Sequence, residues 1–298
     1  MKLDFLICGT PTDAFCSQIA FFRLCLDYLG GDYRNARLVA SFGDHSVEQI
    51  PKRWEPYFKN IEIEWSHPIG EVNPYYYAQH YHRFKKFRQD ADMVIICDAD
   101  TALIRPFPEL IEMCVQAPAI FGVIAHYHMT TKKGWQEIAN TVIEKPVKIK
   151  YNYTLEAIDS LPSAPFYINY GFLASTPTLL NKLYNKDIQL IDPIIEQVGP
   201  IWASQVSVAL ASEALDLPRF NLPMRYNFPN DKKADKLYPN ELEEIILLHY
   251  LRKSIYDRHK IFTNDKEFNH FMQLTLDGSD KIFQQHVLKL TNAEYPFS

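Results

Sequence analysis

The chain has 298 residues, 47% of them hydrophobic and 22% charged, and a formal net charge of −5 at pH 7. Such a chain can bury a sizeable core and lies far from disordered composition, and with no block of clustered lysines and arginines it argues against nucleic acid as a main partner. Five cysteines without CxxC spacing, a first apolar stretch too brief for a signal peptide and no run of roughly 18 apolar residues favour a cytoplasmic protein without a transmembrane segment, with peripheral membrane attachment left open.

Leu3 to Cys8 predicts a buried first strand, and the turn-rich Gly9-Thr10-Pro11-Thr12-Asp13 supplies N-cap residues for a helix after it. Phe15, Ile19, Phe22, Leu26 and Leu29 recur at three- and four-residue steps, giving one apolar face that Gly30-Gly31 ends. Arg37 to Phe42 and Ile61 to Trp65 predict further strands. Tyr75 to Phe87 predicts a helix with aromatic residues on one face and basic residues on the other. Met93 to Cys97 is a continuous apolar run, as in strands covered on both faces.

Strands alternating with helices predict an α/β fold with a mostly parallel sheet. Ligands bind such sheets beyond the carboxyl ends of the strands, where Thr10 and Asp98 would both lie. A helix over Pro108 to Gln116 and an apolar run from Ala119 to Ala125 follow, after which the pattern loosens. No linker or internal repeat marks a second domain, so one unit is expected, with a soft boundary near residue 110. The sequon Asn152-Tyr153-Thr154 carries no meaning in a cytoplasmic chain.

Asp98-Ala99-Asp100 follows the most apolar run directly, so two carboxylates sit at the tip of a buried strand, an unfavourable place without a partner. In extended backbone residues i and i+2 point the same way, so both can face one cation. Carboxylate ligands suit Mg²⁺ or Mn²⁺, and such an ion completes its shell with phosphate oxygens. Aspartate at a strand end also serves ordinary turns, so the pair alone is a weak signal.

The context strengthens it. Tyr81-His82-Arg83-Phe84, Met93 to Asp100 and Ile104 to Leu110 together resemble the helix, strand and DxD of GT-A glycosyltransferases, most of all the glycogenin- and LgtC-like family 8. Phe166 to Leu173 resembles that family's "FNSG" segment, and Ile245 to Tyr250 its late strand, whose histidine is a metal ligand. The resemblance implies a GT-A fold, a nucleotide-sugar donor, UDP-sugar above all, held through Mn²⁺ (or Mg²⁺), and a glycan or other hydroxyl acceptor. The nucleotide-binding half would then be residues 1–110 and the acceptor-binding half 111–298.

Residue by residue, it implies Asp98, Asp100 and His249 as metal ligands and Arg83, Thr10, Gly171 and Lys253 (or Arg252) at the donor. Asn169 and Gln205 would face the reacting sugar, with Asp100 counted among the catalytic groups. Two departures stand out: Ser204 replaces the aspartate that precedes the family's glutamine, and Leu251-Arg252-Lys253-Ser254 replaces its glycine and lysine after the histidine. His249 by itself equally fits a hydrogen-bonded core histidine. Tyr75, Tyr76, Tyr77, Tyr81, Tyr151 and Tyr153 suit sugar stacking, core packing or a homodimer contact equally well.

No carboxylate stands out as a general base; Asp192, Glu196 and Glu213 are candidates that nothing distinguishes, and the resemblance points instead to retention of configuration. Two alternatives remain. A haloacid-dehalogenase-type phosphatase also uses DxD after an apolar strand, with the first aspartate as nucleophile. A catalytically inactive nucleotide-sugar-binding protein would keep the fold without turnover.

Overall fold

The computed structural model describes residues 1–43, 48–65, 86–156, 162–252 and 255–298. Ten strands run through them: β1 (Leu3–Gly9), β2 (Arg37–Phe42), β3 (Glu62–Trp65), β4 (Met93–Cys97), β5 (Thr101–Leu103), β6 (Ile120–Ile124), β7 (Ile168–Ser175), β8 (Arg219–Asn221), β9 (Phe228–Pro229) and β10 (Leu247–His249). Seven form a central sheet in the order β3-β2-β1-β4-β7-β6-β8, and the others a small sheet in the order β5-β10-β9.

In the central sheet β3, β2, β1 and β4 are parallel, β7 runs against both β4 and β6, and β8 is parallel to β6. The α/β architecture with a mostly parallel sheet agrees with the sequence reading; apolar patterning carries no sign of the reversed β7. That reversal matters for position. Ile96 pairs with Leu173, so the start of β7, with Gly171 and Asn169, lies beyond the end of β4 at the edge where Asp98 emerges.

All residues of β1 and β4 are buried because both faces of the sheet are covered. Phe5, Ile7, Met93, Ile95 and Cys97 face one core, Leu6, Val94 and Ile96 the other. The first core is closed by α1 (Asp13–Leu29) and by helices α2 (Asp265–Gln273) and α3 (Gly278–Thr291), with Phe21 stacked on Phe262 at 4.1 Å and Tyr250 on Phe283 at 4.4 Å. The second packs under Trp135, Leu180, Leu183, Val206 and Leu210 from helices 132–143, 177–198 and 200–214.

The ends of α1 follow its sequence signals. The Thr12 hydroxyl accepts from the Phe15 N–H at 3.5 Å, and Gly30, at φ 69°, takes the left-handed backbone that stops the helix. The one charge inside β1, Asp4, is fully buried and satisfied by Arg37 Nη1 at 3.2 Å and by Arg88 N and Nε at 2.6 and 2.7 Å. All five cysteines are buried and none of them forms a disulfide. The predicted helix over Tyr75 to Phe87 lies outside the described residues except for Lys86 and Phe87.

Two buried histidines set an acid limit on the fold. Burial, with His249 and Arg252 nearby, pulls His126 down to about 3, and burial, with Lys289, pulls His286 down to about 4. Both lie below the 6.5 of a free imidazole, so the unfolded chain binds more protons in between. The stability they contribute is complete above that value and is lost as pH falls toward 4 and 3. Urea midpoints measured between pH 8 and 5 should therefore drop on the acid side, and His286→Leu should flatten that drop.

Candidate functional site

The small sheet assembles the site. β5 and β10 are antiparallel with Thr101 opposite His249, and the Tyr250 N–H donates to the Asp100 carbonyl at 3.0 Å, so the DxD end and the histidine are locked side by side. β9 runs parallel to β10 with Pro229 against His249, which brings Asn227 to the other flank of the ring. The Thr101 hydroxyl donates to the Asp98 carbonyl at 2.7 Å and holds the turn between the aspartates.

His249 Nε2 lies 3.1 Å from Asp100 Oδ1 and 3.6 Å from Asp98 Oδ2, and donor atoms of the three residues all fall within 4.8 Å of one another. The ring's orientation follows from a chain of amides. Asn227 Nδ2 donates to the Asn169 side-chain and backbone oxygens at 2.9 and 3.3 Å, so Asn227 Oδ1 can only accept from His249 Nδ1, 3.1 Å away. With Nδ1 committed to Asn227, Nε2 is the atom that faces the two carboxylates: as an imidazolium it donates to Asp100 Oδ1, and with that proton gone its lone pair is aimed where a cation shared with them would sit. Nitrogen and oxygen donors so disposed fit a divalent cation.

Asp100 is held as a carboxylate. Burial pushes its carboxyl up, but positive charge on the His249 ring and on the Arg258 guanidinium outweighs that and holds it below the usual carboxylate range. Arg258 Nη1 stands 2.9 Å from Asp100 Oδ2. These groups line a cleft of about 450 Å³ at the carboxyl edge, together with Cys8, Asn169, Tyr170 and Gln205.

The predicted residues fall into three groups. Asp98, Asp100, His249, Asn169 and Gln205 all line the cleft. Gln205 is presented by helix 200–214, which the Tyr170 hydroxyl fastens by donating to the Ser204 carbonyl at 2.5 Å. Gly171 lies behind His249, and Thr10 is nearly buried just past β1, its carbonyl accepting from Thr12 N at 2.7 Å. Arg83 and Lys253 lie outside the described residues.

Arg252, the other basic residue expected at the donor, turns to Asp231, 3.3 Å away, and stacks over Tyr127. Glu213 is buried in an ion pair with Arg219, and neither it nor Asp192 nor Glu196 reaches the cleft. Sequence reasoning missed Arg258, which sits in the charged run Asp257-Arg258-His259-Lys260 and so reads as solvated loop, and Asn227, in an irregular segment.

No protein-family model matches the sequence, and neither does any curated protein. Solved structures do resemble the fold. LgtC, as an active-site mutant, superimposes with a TM-score of 0.54 at 12% identity over 85% of this chain and 88% of its own. Mouse xyloside xylosyltransferase 1 gives 0.51 at 10% over 84% and 98%. The bifunctional glycosyltransferase WbbM gives 0.51 at 11% over 85%, and the chain spans 46% of its length. With the order of the central sheet, these likenesses show that the chain has the GT-A fold of glycosyltransferases.

Proposed function

We propose that the chain is a metal-dependent glycosyltransferase that moves a sugar from a nucleotide-sugar donor, a UDP-sugar, to a hydroxyl acceptor such as a glycan. The observation that carries this reading is the convergence of Asp98, Asp100 and the His249 Nε2 lone pair on one point of a cleft at the carboxyl edge of a GT-A sheet. The cytoplasm is the expected setting, in keeping with five cysteines that form no disulfide; no helix among the described residues is long and apolar enough to cross a membrane.

Asp98, Asp100 and His249 would hold Mn²⁺ or Mg²⁺, with Asn227 fixing the imidazole from behind. Bound there, the ion supplies Lewis-acid neutralisation of charge on the departing nucleoside diphosphate. Asn169 spends its Oδ1 on Gly171 N and Asn227 Nδ2, which leaves its Nδ2 hydrogens for a ligand in the cleft. Gln205 brings a second amide to the same space. Such prearranged donors act where charge develops and need no reorganisation as it does.

Asp98 and Asp100 are the only carboxylates among the described residues lining the cleft. Both would be committed to the cation, which would leave no base there for direct inversion, and this supports transfer with retention. The test is a panel of nucleotide sugars incubated with the protein and Mn²⁺, with released nucleoside diphosphate measured and EDTA as control. Metal-dependent release from one donor is expected, with NMR of the product showing the donor's anomer. Turnover of small phosphoesters instead would restore the phosphatase reading, and tight UDP–Mn²⁺ binding without hydrolysis or transfer would favour a binding protein.

A further inference from the structure

Asp100 divides its carboxylate between two partners: Oδ1 faces His249 Nε2 at 3.1 Å, and Oδ2 is held by Arg258 Nη1 at 2.9 Å. Arg258 is anchored in turn. Its Nη1 also donates to the Leu251 carbonyl, its Nε to His259 Nε2 at 3.2 Å, and its own carbonyl accepts from Gln18 Nε2 at 3.2 Å. Among the described residues it is the only arginine or lysine lining the cleft. It also lines a second cleft of about 480 Å³ with Arg252, Tyr256 and Asp257, and Leu251, Arg258 and His259 are common to both. The guanidinium thus stands at the junction of the two spaces, 30% exposed, with donors beyond Nη1 and Nε to offer.

The local charge count says what this does. Asp98 and Asp100 present two negative charges and Arg258 returns one positive, so a dication arriving alone meets a net −1 rather than −2 and finds Asp100 Oδ2 already taken. A diphosphate arriving with the cation meets the guanidinium fork, whose geometry matches phosphate oxygens. We infer that Arg258 is a positioning residue that makes metal and nucleotide binding interdependent, weakening the grip on the ion alone and strengthening it on ion and diphosphate together. This rests on the proposed function and adds to it a coupling between two ligands.

The test uses the full chain and two probes, Mn²⁺ alone, followed by the EPR signal of the free ion, and UDP at saturating Mn²⁺, followed by calorimetry. Arg258→Gln should bind Mn²⁺ alone about five- to tenfold tighter and UDP–Mn²⁺ about tenfold or more weaker, two changes of opposite sign that a merely structural residue would not produce. Arg258→Lys, which keeps the charge without the fork, should leave Mn²⁺ affinity near wild type while UDP–Mn²⁺ binding stays weak. If Arg258→Gln weakens both or changes neither while wild type binds UDP–Mn²⁺, the coupling is overturned and the proposed function stands. If wild type binds no UDP–Mn²⁺, both fall.

Discussion

Asp100→Ala should lower metal-dependent turnover of the nucleotide sugar by about 10²- to 10³-fold, the range for losing one prearranged electrostatic group. The residue is the hub of the site: one oxygen faces His249, the other Arg258, and its backbone carbonyl accepts from Tyr250 N. The substitution takes away the carboxylate and leaves the backbone bond that pairs β5 with β10, so the fold should survive. Arg258 loses its partner but is partly exposed and can turn to water, which keeps the stability change below the roughly 3–5 kcal/mol of breaking a fully buried pair. Nucleoside diphosphate release and the thermal midpoint, measured on one preparation, separate the two effects. Retention of a tenth or more of wild-type turnover, with Mn²⁺ saturating, would mean that the reaction does not run through this carboxylate.

Asn169→Ala is expected to lower the same turnover more mildly, because it takes one amide from the cleft and one anchor from Asn227 but no ligand from the cation. The contrast shows where sequence reading reaches. β4 and its aspartates were legible because a doubly covered strand must be uninterruptedly apolar, and two acids at its tip break that rule visibly. α1 was legible from Thr12, its apolar step and Gly30, all local signals. His249 was legible only through order along the chain, since the pairing of Thr101 with His249 spans nearly half of the sequence and leaves no periodic trace. Asn227 and Arg258 could not be found: each acts through a side chain delivered from a non-repeating segment, and polar residues in such segments usually face solvent. The reversed β7 is likewise a tertiary fact, fixed by pairing with β4 and β6 rather than by its own pattern.

Gly171→Ala should cost about 1–3 kcal/mol of stability, as overpacking does, and weaken Mn²⁺ binding by about 10- to 100-fold, the range for disturbing a group behind a metal ligand. A Cβ at this position would stand 2.2 Å from His249 Nδ1 and 2.3 Å from Asn227 Oδ1, far inside van der Waals contact. Those two atoms are the ends of the 3.1 Å hydrogen bond that aims Nε2 at the carboxylates, so the methyl group is a wedge driven into the bond itself. Neither side can retreat, because His249 is only 2% exposed and Asn227 fully buried, and β7 is held between β4 and β6. Asn227→Ala is the informative comparison. It removes the same hydrogen bond without inserting volume, so it should reproduce the loss of Mn²⁺ affinity and spare the overpacking component of the stability loss. Wild-type Mn²⁺ affinity in both variants would mean that the imidazole needs no support from behind, and His249 would then have to be read as a packed core histidine beside two aspartates rather than as a ligand.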